Sequence, residues 1–465
     1  MANYSISAYG VERCSGFCSY CSCASTINYE MGCKKDIKHL EEIDNYVFEK
    51  QYKADWNKVK ETLLNDPQIK GKTKEQLSKE HVHFDLWGGD PVTNLKMVKD
   101  MIENLTKICQ DIGFRDWSFS DSTNGMAFIR NEIVDWHLQN NVHIQLSHDG
   151  IGQFIRTRDI DPLDYDNTKL LFKEGILSAV NTTLSFYNPD MVKNFNFWTN
   201  YLKGIFPNVY SKDKMASQKE SAVFENLYIK LNHIYNGTDY KKQKNVMGMW
   251  NGKVYEQLKG EELGDFNLIN DHERAEKYGI PEMAHVLDDY LHSYRMLIPM
   301  MGSLEFIPFY NYVSEQLKRY KILPDENTIH ATCRAFQRYQ HNIGEERSQK
   351  PTTFVIDTMG NYTECNLLYS KYSVKNPGGV QAPYCKTCKY RYASECLPCG
   401  AENFPERCHY QYPWLQFLEE VRAGIYNVPK KFNKNISFDE ATRLLKNHWT
   451  PEMKKAMEEM HKRGL

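Results

Sequence analysis

The sequence lacks several features that would place it in a specialised class of protein. No run approaches the ~18 consecutive apolar residues of a membrane span. The first residues, MANYSISAYGVER, lack the basic start and apolar run of a secretory signal. A formal net charge of -2 gives no reason to expect general binding to nucleic acid or to an anionic membrane. These absences predict a cytoplasmic protein, and 465 residues predict two or three domains.

Cysteine is missing between Cys109 and Cys333, although the chain has 13 cysteines. The odd count and the missing signal peptide argue against a disulfide framework. Four cysteines lie within residues 14–23 and seven within residues 333–408. This distribution predicts two separate metal-binding regions. For Cys23, Cys33 and Cys109 we expect the role of a small buried apolar residue.

Short apolar stretches alternate with helical ones through the first half of the chain. The strand candidates end at polar or glycine-rich residues, and a helical spacing runs over residues 95–112. The alternation predicts an α/β fold of parallel strands with crossover helices. The strand candidates are Ser5–Tyr9, Val82–Leu86, Trp117–Ser120, Val142–Leu146, residues 177–186 and Leu227–Leu231.

Three further segments lie outside this alternation. Residues 34–80 are dense in Lys, Glu and Asp, and we expect a helical insertion that serves as a lid or partner surface, or a solvated helical face. Residues 236–330 are mixed and are expected to form a mostly helical bridge. Residues 411–465 are expected to form C-terminal helices.

The first metal-binding region has the spacing C-x3-C-x2-C, at Cys14, Cys18 and Cys21. Three thiolates on one tight loop can hold three irons of a 4Fe–4S cube and leave the fourth iron open. A structural zinc site would want four ligands with paired spacing. Cys23 is a poor fit as a fourth ligand of the same cube.

With Tyr20 before the last cysteine, this spacing resembles the signature of the radical S-adenosylmethionine superfamily. Three more motifs extend the resemblance: Gly88-Gly89-Asp90-Pro91 is similar to the family's GGEP, Ser122–Gly125 to its TNG, and Ser147–Gly150 to its S-x-D-G. The resemblance implies a partial (β/α)6 TIM-like barrel over residues 1–235. It also implies cofactor contacts from Tyr20, Gly88, Gly89, Asp90, Pro91, Asn124, Ser147 and Asp149.

The sequence departs from the family in two places. Asp90 replaces the more usual Glu, which keeps the charge with a shorter reach. Ile151 and Ile155-Arg156 stand where the family has Pro and then His-Asp. Arg156 or Arg158 therefore remains as the partner for the cofactor's carboxylate, and Arg158 is taken as the candidate.

The resemblance implies reductive chemistry. A reduced 4Fe–4S cluster would cleave S-adenosylmethionine to methionine and a 5′-deoxyadenosyl radical, which removes a hydrogen atom from the substrate. The reductant would be a flavodoxin- or ferredoxin-type protein. The polypeptide mainly positions the partners and excludes water.

The second cysteine region begins with a predicted hairpin over Phe354–Cys365, with Gly360 in the turn and Cys365 on the returning strand. Two C-x2-C pairs and a final cysteine follow. Taken alone, this region is also compatible with two zinc sites in a ribbon or treble-clef module. Its cysteines are Cys333, Cys365, Cys385, Cys388, Cys396, Cys399 and Cys408.

Beside the N-terminal motifs, residues 331–410 resemble the SPASM extension, a small α+β domain that holds auxiliary iron–sulfur clusters. The match is good at Gly360–Cys365 and Cys385–Cys388, while the spacings around Cys396 and Cys399 differ from the family. The resemblance implies two auxiliary clusters. The outer one would be held by Cys385, Cys388, Cys396 and Cys408, and the inner one by Cys333, Cys365 and Cys399. The inner cluster is one thiolate short. Either a non-cysteine protein ligand completes it, or one iron is open and could bind a substrate thiolate, or the cluster is a smaller one.

SPASM enzymes mostly modify peptides or proteins, so the resemblance implies a peptide or protein substrate. Asn366 stands where sulfatase-maturating members have an Asp base, and this disfavours formylglycine formation. Only 13 residues precede Cys14, so leader recognition would need a separate protein, the 34–80 segment, or a substrate without a leader. The alternatives are a small-molecule dehydrogenase with the same extension and a non-catalytic zinc-binding or electron-transfer protein.

Overall fold

A mostly parallel sheet of eight strands organises the chain. The computed structural model describes residues 3–14, 45, 47–153, 156, 160–184, 191–211, 213–233, 246–250, 253–258, 304–309, 311–312 and 353–363. The strands are Asn3–Arg13 (β1), His81–Gly89 (β2), Asp116–Thr123 (β3), His143–Ser147 (β4), Leu177–Leu184 (β5), Tyr228–His233 (β6), Val246–Trp250 (β7), Lys253–Leu258 (β8), Thr353–Asp357 (β9) and Tyr362–Thr363 (β10).

The helices of the described residues lie mainly between these strands. They are Trp56–Leu64 (α1), Lys74–Leu77 (α2), Leu95–Ile112 (α3), Asn131–Asn140 (α4), Asp166–Glu174 (α5), Met191–Ile205 (α6), Pro207–Tyr210 (α7) and Gln218–Asn226 (α8). Shorter helical turns are Val47–Gln51, Pro91–Thr93, Met126–Ile129, Gly150–Gly152, Pro162–Asp164 and Leu304–Phe306. No helix among the described residues combines the length and the apolar character needed to cross a membrane.

Strands β1 to β6 follow one another in the sheet in chain order, and each pairs parallel with the next. This order and the intervening helices confirm the predicted α/β class with six parallel strands. Alternate residues of β2 are fully buried, because Val82, Phe84 and Leu86 face the helical layer. The long helix α3 buries its own apolar stripe, including Met101 and Leu105, in the same cluster.

The sheet is curved, as expected for a partial barrel. Strands β2 and β6 are separated by three others, so in a flat sheet they would lie about 19 Å apart. Nevertheless, the charge of Lys230 on β6 lowers the pKa of Asp85 on β2. Across 19 Å such an influence would be largely screened. The faces of β2 and β6 that carry these residues therefore turn toward each other, as they do in a partial barrel.

The described part of the 34–80 segment contributes to the core. Helix α1 buries Val59 and Leu63, and the following residues add Ile69 and Leu77 to the same apolar cluster. Asp55 caps α1, because its carboxylate accepts a hydrogen bond from the Lys58 N–H at 3.1 Å. Residues 56–77 thus supply the crossover between β1 and β2, and their charged residues other than the buried Asp66 lie toward its outer face.

The hairpin predicted near residue 360 is present, and Gly360 lies in its turn with φ of +73°. Asp357 holds the turn, since its Oδ1 accepts hydrogen bonds from the N–H groups of Met359 (2.9 Å) and Asn361 (2.8 Å). Strand β9 pairs parallel with β1, so the hairpin extends the sheet of the barrel. Cys365 lies just beyond the described residues.

The expected helical bridge, residues 236–330, contains an antiparallel hairpin of β7 and β8 in its described part. The two strands are joined in sequence by Asn251-Gly252, the dipeptide most favoured in two-residue hairpins, so the sequence carried this signal. The division into residues 1–235, 236–330, 331–410 and 411–465 stays a prediction, since residues 364–465 lie outside those described.

Candidate active site at the carboxyl ends of the strands

The motifs singled out in the sequence meet at one edge of the sheet. Strand β1 ends next to Cys14, β2 ends next to Asp90, β3 ends next to Asn124, and β4 ends at Ser147. These four strands are parallel neighbours, so their carboxyl ends lie side by side. In parallel α/β folds this edge is where ligands bind.

The turn after β2 requires its two glycines. Gly88 and Gly89 have φ of +116° and +65°, values that residues with a Cβ rarely adopt. Pro91 then begins a short helical turn, and the Thr93 hydroxyl donates a hydrogen bond to the Asp90 carbonyl at 2.7 Å. The turn fixes Asp90 at the edge of the sheet with only 2% of its surface exposed.

The Asp90 carboxylate is only partly satisfied. Its Oδ2 accepts a hydrogen bond from the Asn124 N–H at 3.2 Å, while its buried Oδ1 has no partner among the described residues. Burial raises the pKa of Asp90 to about 6, against the opposing effect of hydrogen bonds from Thr123 and Asn124. A buried acceptor without a partner is costly, so this oxygen is suited to a charged donor from a ligand.

Asn124 connects Asp90 to the first cysteine. Its side-chain Nδ2 donates to the Cys14 Sγ at 3.4 Å, and its Oδ1 accepts from the Met126 N–H at 2.9 Å. The chain can turn sharply here because Gly125 has φ of +80°, and a Cβ at that position would lie 2.7 Å from the Leu146 Cδ1. The contact to sulfur was not part of the sequence motif, which identified Asn124 only through its resemblance to TNG.

The motif after β4 positions an arginine. Asp149 is buried, and its Oδ1 accepts from Arg156 Nη2 at 3.1 Å, from Arg156 Nε at 3.3 Å and from the Thr183 N–H at 3.1 Å. The charge of Arg156 also lowers the pKa of Asp90, so the arginine acts on the same edge. Ser147 is half-buried on the inner face, in register with Asn181 of β5.

Between Ser147 and Asp149, a buried histidine holds the loop. The Gly150 N–H donates to His148 Nδ1 at 3.0 Å, so that nitrogen carries no proton. His148 Nε2–H therefore donates to the Asp161 carboxylate at 2.9 Å. These two bonds fix the ring and tie the turn after β4 to the segment after it.

The remaining predicted site residues fall outside the described part of the chain. They are Cys18, Tyr20, Cys21, Arg158, Cys333, Cys365, Asn366, Cys385, Cys388, Cys396, Cys399 and Cys408, and their roles stay predictions. Within the residues that are described, no group of three His, Cys, Asp or Glu side chains could hold a metal ion. Cys109 is buried in the core and burial raises the pKa of its thiol to about 12, which confirms its expected role in packing.

Sequence reasoning missed a polar face inside the sheet. The residues between the buried apolar positions of β2 are His81, His83 and Asp85, and β3 carries Ser118 and Ser120 at matching positions. The signal was available, because strands of a parallel sheet are normally apolar on both faces. A strand with alternating titratable residues predicts an interior that is used for chemistry or binding.

Neither the protein-family models nor the curated proteins include a match to this chain. Among solved structures, native anSMEcpe with bound AdoMet (S-adenosylmethionine) aligns at 13% identity with a TM-score of 0.46, over 90% of this chain and 97% of that one. Native anSMEcpe with AdoMet and the Cp18Cys peptide aligns at 13% identity with a TM-score of 0.44, over 96% and 100%. SuiB of Streptococcus suis bound to S-adenosylmethionine aligns at 11% identity with a TM-score of 0.33, over 80% and 60%.

Proposed function

We propose that this chain is a radical S-adenosylmethionine enzyme. The observation that carries the proposal is the buried Asp90 carboxylate, which has one oxygen without a partner among the described residues and is linked through Asn124 to the Cys14 sulfur. This arrangement lies at the carboxyl ends of parallel strands, in the motifs that resemble the family. An acid beside a thiolate ligand suits a molecule that has a cationic amino group and also binds to iron.

The described residues fit the proposed cofactors. The Cys14 thiolate, with Cys18 and Cys21, would hold the 4Fe–4S cluster, and Asp90 Oδ1 would accept a hydrogen bond from the amino group of S-adenosylmethionine. The Arg156 guanidinium, or Arg158, would neutralise its carboxylate. When bound and reduced, the cluster would supply the electron for the cleavage of S-adenosylmethionine to methionine and a 5′-deoxyadenosyl radical.

The residues beside Cys14 would adjust the properties of a bound cluster. The side-chain Nδ2–H of Asn124 donates to the Cys14 Sγ, and a hydrogen bond to a ligand sulfur would raise the reduction potential of the cluster. Asp149 keeps Arg156 in place by accepting from two of its nitrogens. The backbone turn at Gly88, Gly89 and Pro91 and the half-buried Ser147 hydroxyl would complete the cofactor contacts.

We propose a peptide or protein as the substrate, with an oxidative cross-link, a thioether or a similar bond as the product. The support is the SPASM resemblance from Gly360 onward, which implies two auxiliary clusters held by the C-terminal cysteines. The hairpin of β9 and β10 begins that region and lies against β1, the strand that leads into Cys14. Asn366 cannot act as a carboxylate base, so we do not propose formylglycine formation. A flavodoxin- or ferredoxin-type reductant and a separate leader-binding protein are the proposed partners.

The proposal is tested by replacing Cys14, Cys18 and Cys21 together with Ala. Anaerobically reconstituted wild-type protein should contain iron and sulfide and should form 5′-deoxyadenosine under dithionite. The triple variant should form none while it keeps the iron of the C-terminal region. Cys109→Ala is the matched control, because that thiol lies in the apolar core, and it should retain cleavage. Cleavage by the triple variant, or zinc without iron in the wild type, would contradict the proposal.

A further inference from the structure

The inner face of β2 and β3 carries a ladder of polar side chains that the cofactor site does not use. The two strands are paired so that His83 lies opposite Ser118 and Asp85 opposite Ser120. Residues that are paired in this way project from the same face of a sheet. We call the set the inner chain; its members are Asp116, His81, Ser118, His83, Ser120 and Asp85.

The half of the inner chain nearest the amino-terminal ends of β2 and β3 starts at the surface. Asp116 is the first residue of β3, and its side chain is 64% exposed. Its Oδ2 lies 2.9 Å from His81 Nδ1, and His81 Nε2 lies 3.0 Å from the Ser118 Oγ. This end of the sheet is opposite to the edge that carries Cys14 and Asp90.

From Ser118 the hydrogen-bonded contacts continue without a gap to Asp85 in the interior. His83 Nδ1 lies 2.8 Å from the Ser118 Oγ, and His83 Nε2 lies 3.0 Å from the Ser120 Oγ. The Ser120 Oγ lies 3.2 Å from Asp85 Oδ1. One pleat further toward the carboxyl edge, the Ser122 Oγ lies 3.4 Å from the same carboxylate oxygen.

A count of hydrogens gives the inner chain two complete arrangements. In the first, Asp85 is protonated and donates to the Ser120 Oγ, and Ser120 donates to His83 Nε2. His83 Nδ1–H then donates to Ser118, Ser118 donates to His81 Nε2, and His81 Nδ1–H donates to the Asp116 carboxylate. Every contact is then a hydrogen bond with both histidines neutral. Moving one proton along each bond reverses all of them and leaves Asp85 ionised with the extra proton at Asp116. The two arrangements differ only in whether Asp85 or Asp116, the two ends of the inner chain, holds the proton.

The surroundings favour this exchange near neutral pH. Burial lowers the pKa of His83, and the charges of His81 and His143 lower it further, which favours the neutral ring that can change tautomer. Burial raises the pKa of Asp85 to about 6; Asp121 raises it and Lys230 lowers it. A metal site is the other use for such side chains, but the described residues bring no three metal-ligating groups together.

We propose that the inner chain conducts protons through the barrel between its interior, where Asp85 accepts them, and solvent at Asp116. For each proton that Asp85 takes from a group in the interior, one proton leaves at Asp116, and no electron is moved. The use of this path rests on the proposed function, because an oxidative modification releases protons from the substrate. The path would carry them away at the end of the barrel opposite the cofactor.

The test is the rate at which Asp85 becomes protonated after a rapid drop in pH. Time-resolved infrared spectroscopy of the full chain would follow its carboxyl band, identified by its loss in Asp85→Asn. Ser118→Ala should slow protonation by at least tenfold, because it removes both hydrogen bonds through which Ser118 joins His81 to His83. Ser118→Thr keeps the hydroxyl and should protonate at nearly the wild-type rate.

Ser122→Ala is the matched control, because its hydroxyl contacts Asp85 but lies beyond it on the way from Asp116. It should leave the rate unchanged. Unchanged protonation in Ser118→Ala, or equal slowing in Ser122→Ala, would overturn the proposal. Should Ser118→Ala fail to fold by circular dichroism, the exposed Asp116→Asn carries the same test and the same expected slowing. No cofactor takes part, so the result is independent of whether the chain cleaves S-adenosylmethionine.

Discussion

The two faces of β2 and β3 differ in chemical character. On the outer face, Phe84 stacks on Phe119 with ring centroids 5.5 Å apart, beneath α3. On the inner face, the alternate positions carry histidines, serines and Asp85. The same strands therefore serve stability on one side and chemistry on the other. The apolar face offsets the cost of keeping partly buried titratable groups on the polar one.

The largest expected effect is the loss of stability when a buried side chain of the outer face is truncated. Phe84→Ala should lower the free energy of unfolding by about 3–5 kcal/mol, because a fully buried ring leaves a cavity under α3. Ser120→Ala, one strand away on the inner face, should cost less, about 1–3 kcal/mol, the value of its two hydrogen bonds to His83 and Asp85. Urea unfolding of the two variants would measure the difference. An equal decrease in the free energy of unfolding in both variants would contradict the idea that the outer face contributes more to stability than the inner face.

The next effect concerns the carboxyl edge. Asp90→Ala should weaken the binding of S-adenosylmethionine by about 1.5–3 kcal/mol, the range for a hydrogen bond to a charged group. Isothermal calorimetry under anaerobic conditions would measure it. Asp111→Ala removes the same charge from an exposed position on α3 and should leave the affinity unchanged. Wild-type affinity in Asp90→Ala would make the resemblance of Gly88–Pro91 to GGEP accidental.

The smallest effect is a dependence of affinity on pH. Burial raises the pKa of Asp90 to about 6, and only the ionised carboxylate attracts the amino group of the cofactor. The affinity should therefore be constant above this pKa and should fall by about tenfold for each pH unit below it. Asp90→Asn, which does not titrate, should bind weakly with no such slope between pH 5 and 7.5. A flat wild-type profile over that range would remove Asp90 from the amino-group site.

The sequence predicted those parts of the fold that depend on local patterns. Apolar residues at every second position, such as Val82 and Phe84, predicted strands, and Gly88 and Gly89 predicted a turn that their positive φ angles confirm. The hairpin at Gly360 was predicted for the same reason. These features are determined by residues that are close in sequence, and steric limits on the backbone allow them to be predicted from the sequence.

The contacts that depend on register could not be predicted in this way. The inner chain exists because His83 is paired with Ser118, and a slip of one residue would turn these side chains to the opposite face. The hydrogen bond from Asn124 to Cys14 joins residues 110 positions apart. For the arginine, the sequence left Arg156 and Arg158 open, and only the structure associates Arg156 with Asp149.

The pairing of β9 with β1 has a consequence for how the protein is made. Tyr9 lies beside Asp357, so about 350 residues must be synthesised before that pairing can form. At typical elongation rates of about 5–20 residues per second, the edge of β1 stays uncovered on the ribosome for roughly 20–70 seconds. An unpaired strand edge invites aggregation. Nascent chains of this protein should therefore depend strongly on chaperones until the hairpin of β9 and β10 has emerged.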